Sequence, residues 1–205
     1  MEFKTTASPV EYKQAIKFME QRVAQIHASE ADELLWFLEH QAIYTGGSSA
    51  LNKELINQEN LPVYETGRGG KYTYHGPGQR IVYLMLDLKK REQDIRKYVA
   101  NLENWVISSL REIGISCETK EGKIGIWTKS AMGKDVKIAA IGIRVRKWIA
   151  YHGVAINVSP NLKHYSGIIP CGISEFGVTS LKELGYNISM QDLDIILKEK
   201  FNDFF

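Results

Sequence analysis

Residues 137–158 read KIAAIGIRVRKWIAYHGVAINV, and their order decides the fold class. Lys137–Lys147 and Trp148–Val158 are both rich in the β-branched and aromatic residues that suit a pleated sheet, with no helical segment between them. Strands that follow one another directly pair antiparallel, whereas a parallel pair needs a long crossover. Upstream, Lys123–Thr128 and Arg80–Asp87 (RIVYLMLD) read as further strands, the second of them buried. Glu33–Glu39 (ELLWFLE) is too short and too uniformly apolar for a surface helix, and reads as another buried strand. Leu61–Glu65 and Lys71–Tyr74 complete the strand set, after a flexible loop at Thr45–Ser49.

Three helices fit around these strands. Ser8 stands as N-cap with Pro9 behind it and Glu11 three residues on, followed by Tyr12, Ala15, Ile16, Met19, Val23 and Ile26 at helical spacing. Asp94–Ile113 puts Ile95, Tyr98, Val99, Leu102, Val106, Leu110 and Ile113 on one side, with Gly114 past the end. Ser189 and Asp192 cap a last helix that ends near Phe205. The expectation is one α/β (α+β) domain over residues 1–205, a mixed β-sheet flanked by helices.

The composition excludes several classes. In 205 residues, 44% hydrophobic and 24% charged, no apolar run approaches the roughly 18 residues that span a bilayer. The start, MEFKTTASPVEYK, has no apolar core of a secretory signal, so a cytoplasmic protein with no membrane partner is expected. A net charge of +2 gives no support to nucleic-acid binding. Two cysteines, Cys117 and Cys171, form neither a disulfide ladder nor a CxxC zinc motif.

Four segments carry chemistry. In RGGKYTYHGPGQ (68–79) the paired glycines let backbone approach a ligand closely, with Arg68 available for an anionic or carbonyl group. The spacing matches neither GxxxxGK[ST] nor GxGxxG, and taken alone it is a glycine-rich hairpin with His75 at its shoulder. Cys171, between Pro170 and Gly172, sits on a rigid turn with little bulk beside the sulfur. An ordinary thiol with a pKa of about 8.5 is mostly protonated, and a nearby ammonium would favour the thiolate. Cys117 reads as a small buried hydrophobe. Lys137 is either an edge-strand lysine reaching water or a desolvated amine able to act as a base. Gly153 and Ala155 imply close packing against their strand by a ligand or by another backbone. Arg144, Arg146 and Lys147 form a solvated strand face, with docking of an acidic protein as the alternative. His75, His152, His164 and Cys171 are too scattered for a metal site.

LLWFLEH (34–40), RGGKYTYHGPGQ (68–79), KIAAIGIRV (137–145), HGVAINV (152–158) and PCGI (170–173), taken in this order, resemble the lipoyl(octanoyl) transferases. The resemblance implies the fold of biotin and lipoate protein ligases, and an octanoyltransferase with no cofactor and no metal. It implies that Cys171 carries an octanoyl thioester and that Lys137 promotes the thiolate and serves as general acid and base. By the same resemblance, substrate binding falls to Arg68, Gly69, Gly70, Lys71, Tyr72, Thr73, Tyr74 and His75, to Ala140, Ile141 and Gly142, and to Gly153, Val154 and Ala155. Lys71 stands where the family pattern leads one to expect glutamine. The implied partners are octanoyl-acyl carrier protein as donor, and as acceptors the lipoyl domains of 2-oxoacid dehydrogenase complexes or the glycine cleavage H protein. An ATP-dependent lipoate or biotin ligase on the same fold is the nearest alternative, and a non-catalytic protein binding acyl carrier or lipoyl domains is another.

Overall fold

The computed structural model describes residues 1–57, 61–169 and 177–205. Among these residues the main sheet is eight-stranded. Its path runs β1 (Glu2–Thr5), β2 (Leu34–Leu38), β6 (Gln79–Asp87), β10 (Ile149–Asn157), β9 (Asp135–Arg146), β8 (Lys123–Lys129) and β7 (Glu118–Lys120). The short strand β11 (Gly177–Val178) pairs parallel with β9 off that path. A three-stranded sheet, β4 (Val63–Glu65), β3 (Ile43–Gly46) and β5 (Tyr72–His75), packs beside it.

The uniform apolarity of β2 and β6 has a direct cause: helices cover both faces. Leu35, Phe37, Val82, Leu84 and Leu86 point into the core beneath α2 (Ile95–Glu112) and α3 (Met190–Phe201). Their alternates Leu34, Trp36, Leu38, Ile81, Tyr83 and Met85 pack against Ala15, Met19, Val23 and Ile26 of α1 (Tyr12–His27). A buried ion pair, Arg80 Nε to Asp194 Oδ1 at 2.8 Å, joins β6 to α3. Among the described residues no helix is long and apolar enough to cross a membrane.

The antiparallel succession expected of 137–158 is present, β9 pairing with β10 from Ile149↔Arg146 to Ile156↔Ala139. Their turn places Lys147 at φ 53° and Trp148 at φ 68°, the left-handed pair a two-residue hairpin needs. Asp94 caps α2, and Ser189 caps α3 by accepting from Asp192 N at 3.1 Å.

Most strand ends lie within two residues of the sequence reading, and three boundaries differ for tertiary reasons. The first helix is capped not by Ser8 but by Glu11, whose carboxylate accepts from Lys13 N at 2.9 Å and Gln14 N at 2.8 Å. The cause is tertiary: Val10 is held extended by a parallel bridge to His40, its N–H donating to Glu39 O at 2.8 Å. Thr45 and Gly46 belong to strand β3, paired on both sides, and the loop begins only after them. Helix α3 stops at Phe201, because the chain then turns to stack Phe205 on Phe201 at 4.8 Å between ring centroids.

Candidate active site

Between strands β9 and β10 and the loop leading into β5 lies a cavity of about 350 Å³. Its walls follow from backbone pairing. Gly69 N donates to Ile143 O at 2.8 Å, which lays the RGG loop against β9. Ser48 N donates to Arg68 O at 2.8 Å and Ser49 N to Gly70 O at 3.2 Å, which fixes the loop from its other side.

Arg68, Gly69, Gly70, Lys71, Tyr72, Thr73 and His75 all line the cavity, as do Ala140, Ile141 and Gly142 of β9 and Gly153, Val154 and Ala155 of β10. Tyr74 does not. It faces the other side of the small sheet, stacked on His164 at 4.9 Å and edge-on to Tyr165 at 5.5 Å. Gly153 answers the question of what packs on it: a Cβ there would lie 2.2 Å from Val82 O, so the neighbouring backbone of β6 requires the glycine.

Arg68 is turned inward. Its Nη2 donates to the carbonyl and hydroxyl of Thr45, both at 2.7 Å, and its Nη1 donates to Gly69 O at 2.9 Å. The guanidinium thus braces the loop on β3 and leaves a fixed positive charge in the wall. Lys71 forms an ion pair with Glu54, which is 3% exposed. The other oxygen of Glu54 accepts from Leu51 N at 3.0 Å, and its backbone carbonyl accepts from Ile169 N at 2.8 Å. Lys71 therefore ties the rim of the cavity, through Glu54, to Ile169, just after the 3-10 turn Leu162–Gly167. Lys71→Ala leaves a buried carboxylate without that cation, and because Lys71 is itself one-third exposed the expected loss is roughly 1–3 kcal/mol of unfolding free energy by urea titration. The double variant Lys71→Gln, Glu54→Gln should recover most of it.

Two histidines of the wall are electrostatically quiet. Burial, with the charges of His40 and Arg68, pushes His75 down to about 3, and burial with Arg68 and Arg144 pushes His152 down to about 3. Behind them His40 is pushed down to about 4, again mainly by burial. The hydrogen bonds agree with neutral rings. His40 Nδ1–H donates to Val10 O at 2.7 Å, leaving Nε2 to accept from the Tyr83 hydroxyl at 2.7 Å. His75 Nδ1–H donates to Gln79 Oε1 at 2.7 Å.

Lys137 is not on an edge. Strand β8 pairs with it on one side (Trp127↔Lys137) and β11 on the other (Val178↔Lys137). Its side chain is buried against the cavity, with Nζ donating to Ile124 O at 2.9 Å and lying 4.7 Å from the centroid of the Trp127 ring. Cys171, with the rest of the PCGI segment (170–173), lies outside the described residues. Cys117 is half-buried, and burial pushes its thiol up to about 12, which leaves it protonated. Among the described residues no cluster of His, Cys, Asp or Glu could hold a metal ion.

Residues 11–202 match the family described as lipoyl protein ligase A/B catalytic domain. The chain belongs to that family. Over its whole length it is 51% identical to a protein named octanoyltransferase from Parvibaculum lavamentivorans, of which the match covers 92%. An octanoyltransferase from Wolbachia pipientis subsp. Culex pipiens is 53% identical over 95% of each chain. The fold is similar to that of a bi-partite lipoate protein ligase from Thermoplasma acidophilum, with a TM-score of 0.73, 16% identity, and coverage of 98% of this chain and 82% of that one. The expected mixed sheet flanked by helices, of the lipoate ligase type, is thus the fold of this lipoyl ligase A/B domain.

Within this A/B domain, the parts played by His152 and Gln79 were not legible from local pattern. His152 lines the cavity with φ 62°, a left-handed backbone rare outside glycine and asparagine. Gln79 is fully buried and links three elements: its Nε2 donates to Asn157 Oδ1 at 2.8 Å and to the Tyr165 hydroxyl at 3.0 Å, while its Oε1 holds His75. A Gln at the end of Gly-Pro-Gly reads as a turn residue, and only the tertiary contacts reveal it as the clamp on His75.

Proposed function

We propose that the protein is an octanoyltransferase, an acyltransferase of protein lipoylation that moves an octanoyl group from acyl carrier protein to a lysine of a lipoyl domain. The observation that carries this reading is a buried lysine amine, Lys137, at the wall of a largely apolar cavity whose two histidines, His75 and His152, stay neutral at pH 7. An alkyl chain gains about 0.8 kcal/mol for each methylene placed in such a cavity. The octanoyltransferase relatives, similar over the whole chain, support the choice of acyl group.

In this mechanism the Cys171 thiolate attacks the carbonyl carbon of the donor thioester. The new C–S bond forms to Cys171, the old one to the carrier breaks, and the carrier sulfur takes a proton from the Lys137 ammonium. The acceptor lysine amine then attacks the Cys171 thioester, gives its proton to the Lys137 amine, and releases the Cys171 thiolate as the amide forms. One lysine serves both half-reactions and ends each cycle as it began. The placement of Lys137 supports the dyad: its register partner Val178 follows the Cys171 segment closely in sequence, and Ile169, just ahead of that segment, is held by Glu54. The wall formed by residues 68–73 and His75, with Ala140–Gly142 and Gly153–Ala155, is assigned to the acyl chain and its carbonyl. The whole chain, 1–205, is read as one catalytic domain acting in the cytoplasm, where both carrier and acceptor proteins are made.

Because donor and enzyme intermediate are both thioesters, transfer needs no ATP. Octanoyl-carrier protein and a lipoyl domain should give octanoylated domain, measured by intact mass, at the same rate with and without ATP. Transfer that occurs only from free octanoate with ATP would assign the protein instead to ligase chemistry on the same fold. A lipoyl domain left unmodified under both conditions would favour a binding protein without catalysis.

A further inference from the structure

The ladder between β8 and β9 is irregular at one place, beside Lys137. Ile126 pairs with Ala139, but the next residue, Trp127, pairs with Lys137, so Ile138 is an extra residue in β9. Such a bulge re-aims the side chains around it. In a regular strand Lys137 and Ala139 would share a face. Here Ala139 packs into the core with the α2 residues while Lys137 lines the cavity.

Strand β8 is shaped to receive the re-aimed lysine. Gly125 has φ +120°, and a Cβ there would lie 2.8 Å from Ala139 O and 3.2 Å from both Cε and Nζ of Lys137. The lysine stem therefore folds over a position that only glycine can occupy. Its Nζ meets the Ile124 carbonyl at 2.9 Å and the Trp127 ring at 4.7 Å. Both surfaces are held independently of the lysine. Trp127 Nε1 donates to Lys123 O at 3.0 Å, and Gly125 N donates to the Glu103 carboxylate of α2 at 3.0 Å.

We propose that Gly125 and Trp127 are positioning residues for acyl transfer, forming with the Ile124 carbonyl a cradle in β8 that holds the Lys137 amine at the cavity wall. The ring face and the carbonyl dipole both attract an ammonium, and the missing side chain at residue 125 gives the stem its path. A lysine stem without this cradle samples many rotamers, and few of them place Nζ at the reacting atoms. The inference rests on the reading of Lys137 as the proton donor and acceptor, and the test separates the two.

Single-turnover octanoyl transfer from octanoyl-carrier protein to a lipoyl domain is measured for Gly125→Ala, Trp127→Leu and Trp127→Phe, each also combined with Lys137→Ala. Folding is checked by thermal melting. Gly125→Ala and Trp127→Leu are expected to slow transfer roughly tenfold or more with the KM for octanoyl-carrier protein unchanged. Trp127→Phe, which keeps an aromatic face, should restore most of the rate. In the Lys137→Ala background the same changes should cost no further rate, because they act through the lysine. The cradle is overturned if Gly125→Ala folds and transfers at the wild-type rate, or if Trp127→Leu slows transfer equally in both backgrounds. Should Trp127→Leu not fold, a wild-type rate for Gly125→Ala overturns it alone. A wild-type rate for Lys137→Ala itself refutes the catalytic reading, whatever the cradle variants do.

Discussion

Lys137→Ala is expected to keep the fold and to lower the rate of octanoyl transfer by roughly 10²–10⁴-fold, the range associated with a positioned proton donor and acceptor. The site explains why the fold tolerates the change. The Lys137 amine donates to the Ile124 carbonyl and lies over the Trp127 ring, so truncation removes a buried polar group together with its contacts in β8. Lys137→Met, which keeps the volume of the stem, should be as inactive as the alanine variant. That pairing separates loss of the amine from creation of a cavity. Both half-reactions should slow, since in the proposed mechanism the same amine gives a proton to the departing carrier sulfur and takes one from the attacking amine. A variant that forms the acyl-enzyme at the normal rate would remove Lys137 from the chemistry.

Unfolding free energy should fall steeply as the pH drops from 7 toward 5, by up to about 4 kcal/mol per pH unit if all three buried histidines contribute a full proton. In the unfolded chain each histidine titrates near its ordinary value of 6.5, whereas in the fold His40 waits until about 4 and His75 and His152 until about 3. Between those values the unfolded state binds more protons, so acid favours unfolding. The stabilisation is fully present above about 6.5 and is lost on the way down. Urea titrations at pH 7, 6 and 5 read this slope directly. His75→Asn should remove about one proton of it, because an amide can still donate to Gln79 without titrating. A midpoint that does not change between pH 7 and 5 would mean that these rings are already charged or solvated in the fold.

The parts of this structure that were legible in the sequence are those governed by local pattern. Strands β2 and β6 announced themselves by unbroken apolar runs, because helices lie on both of their faces. Helices α2 and α3 carry their caps, Asp94 and Ser189, next to the periodic stretch they begin. The start of α1 departs from its local pattern: Ser8-Pro9 is a sound helix start, and only the bridge from Val10 to His40 delays it. Strand β1 (EFKT) is exposed throughout and has no apolar pattern to read; it exists because β2 offers it an edge. Strand β3 was hidden by Gly46 and by the polar residues that follow.

The site divides in the same way. Small residues at 69–70, 142 and 153–155 marked the walls, because glycine and alanine leave a trace of close approach in the sequence itself. What each glycine serves was not legible, and Gly153 turned out to serve the backbone of β6. The partner of Lys71 was out of reach for a different reason. Glu54 is a carboxylate in an unremarkable stretch, LNKELIN, and its burial depends on a ring of contacts that closes only in three dimensions. The bulge at Ile138 belongs to this class too, since a register shift is a property of two strands and neither carries it alone.

The proposed mechanism requires an acyl group carried by Cys171. Purified protein mixed with octanoyl-carrier protein, without ATP and without acceptor, should gain the mass of one octanoyl group. Peptide mapping should place it on Cys171 and not on Cys117, whose buried thiol stays protonated. Adding a lipoyl domain should discharge that adduct onto the acceptor lysine. A Cys171→Ser protein that transfers octanoate to the lipoyl domain at near wild-type rate, with no adduct on the enzyme at any time, would contradict it.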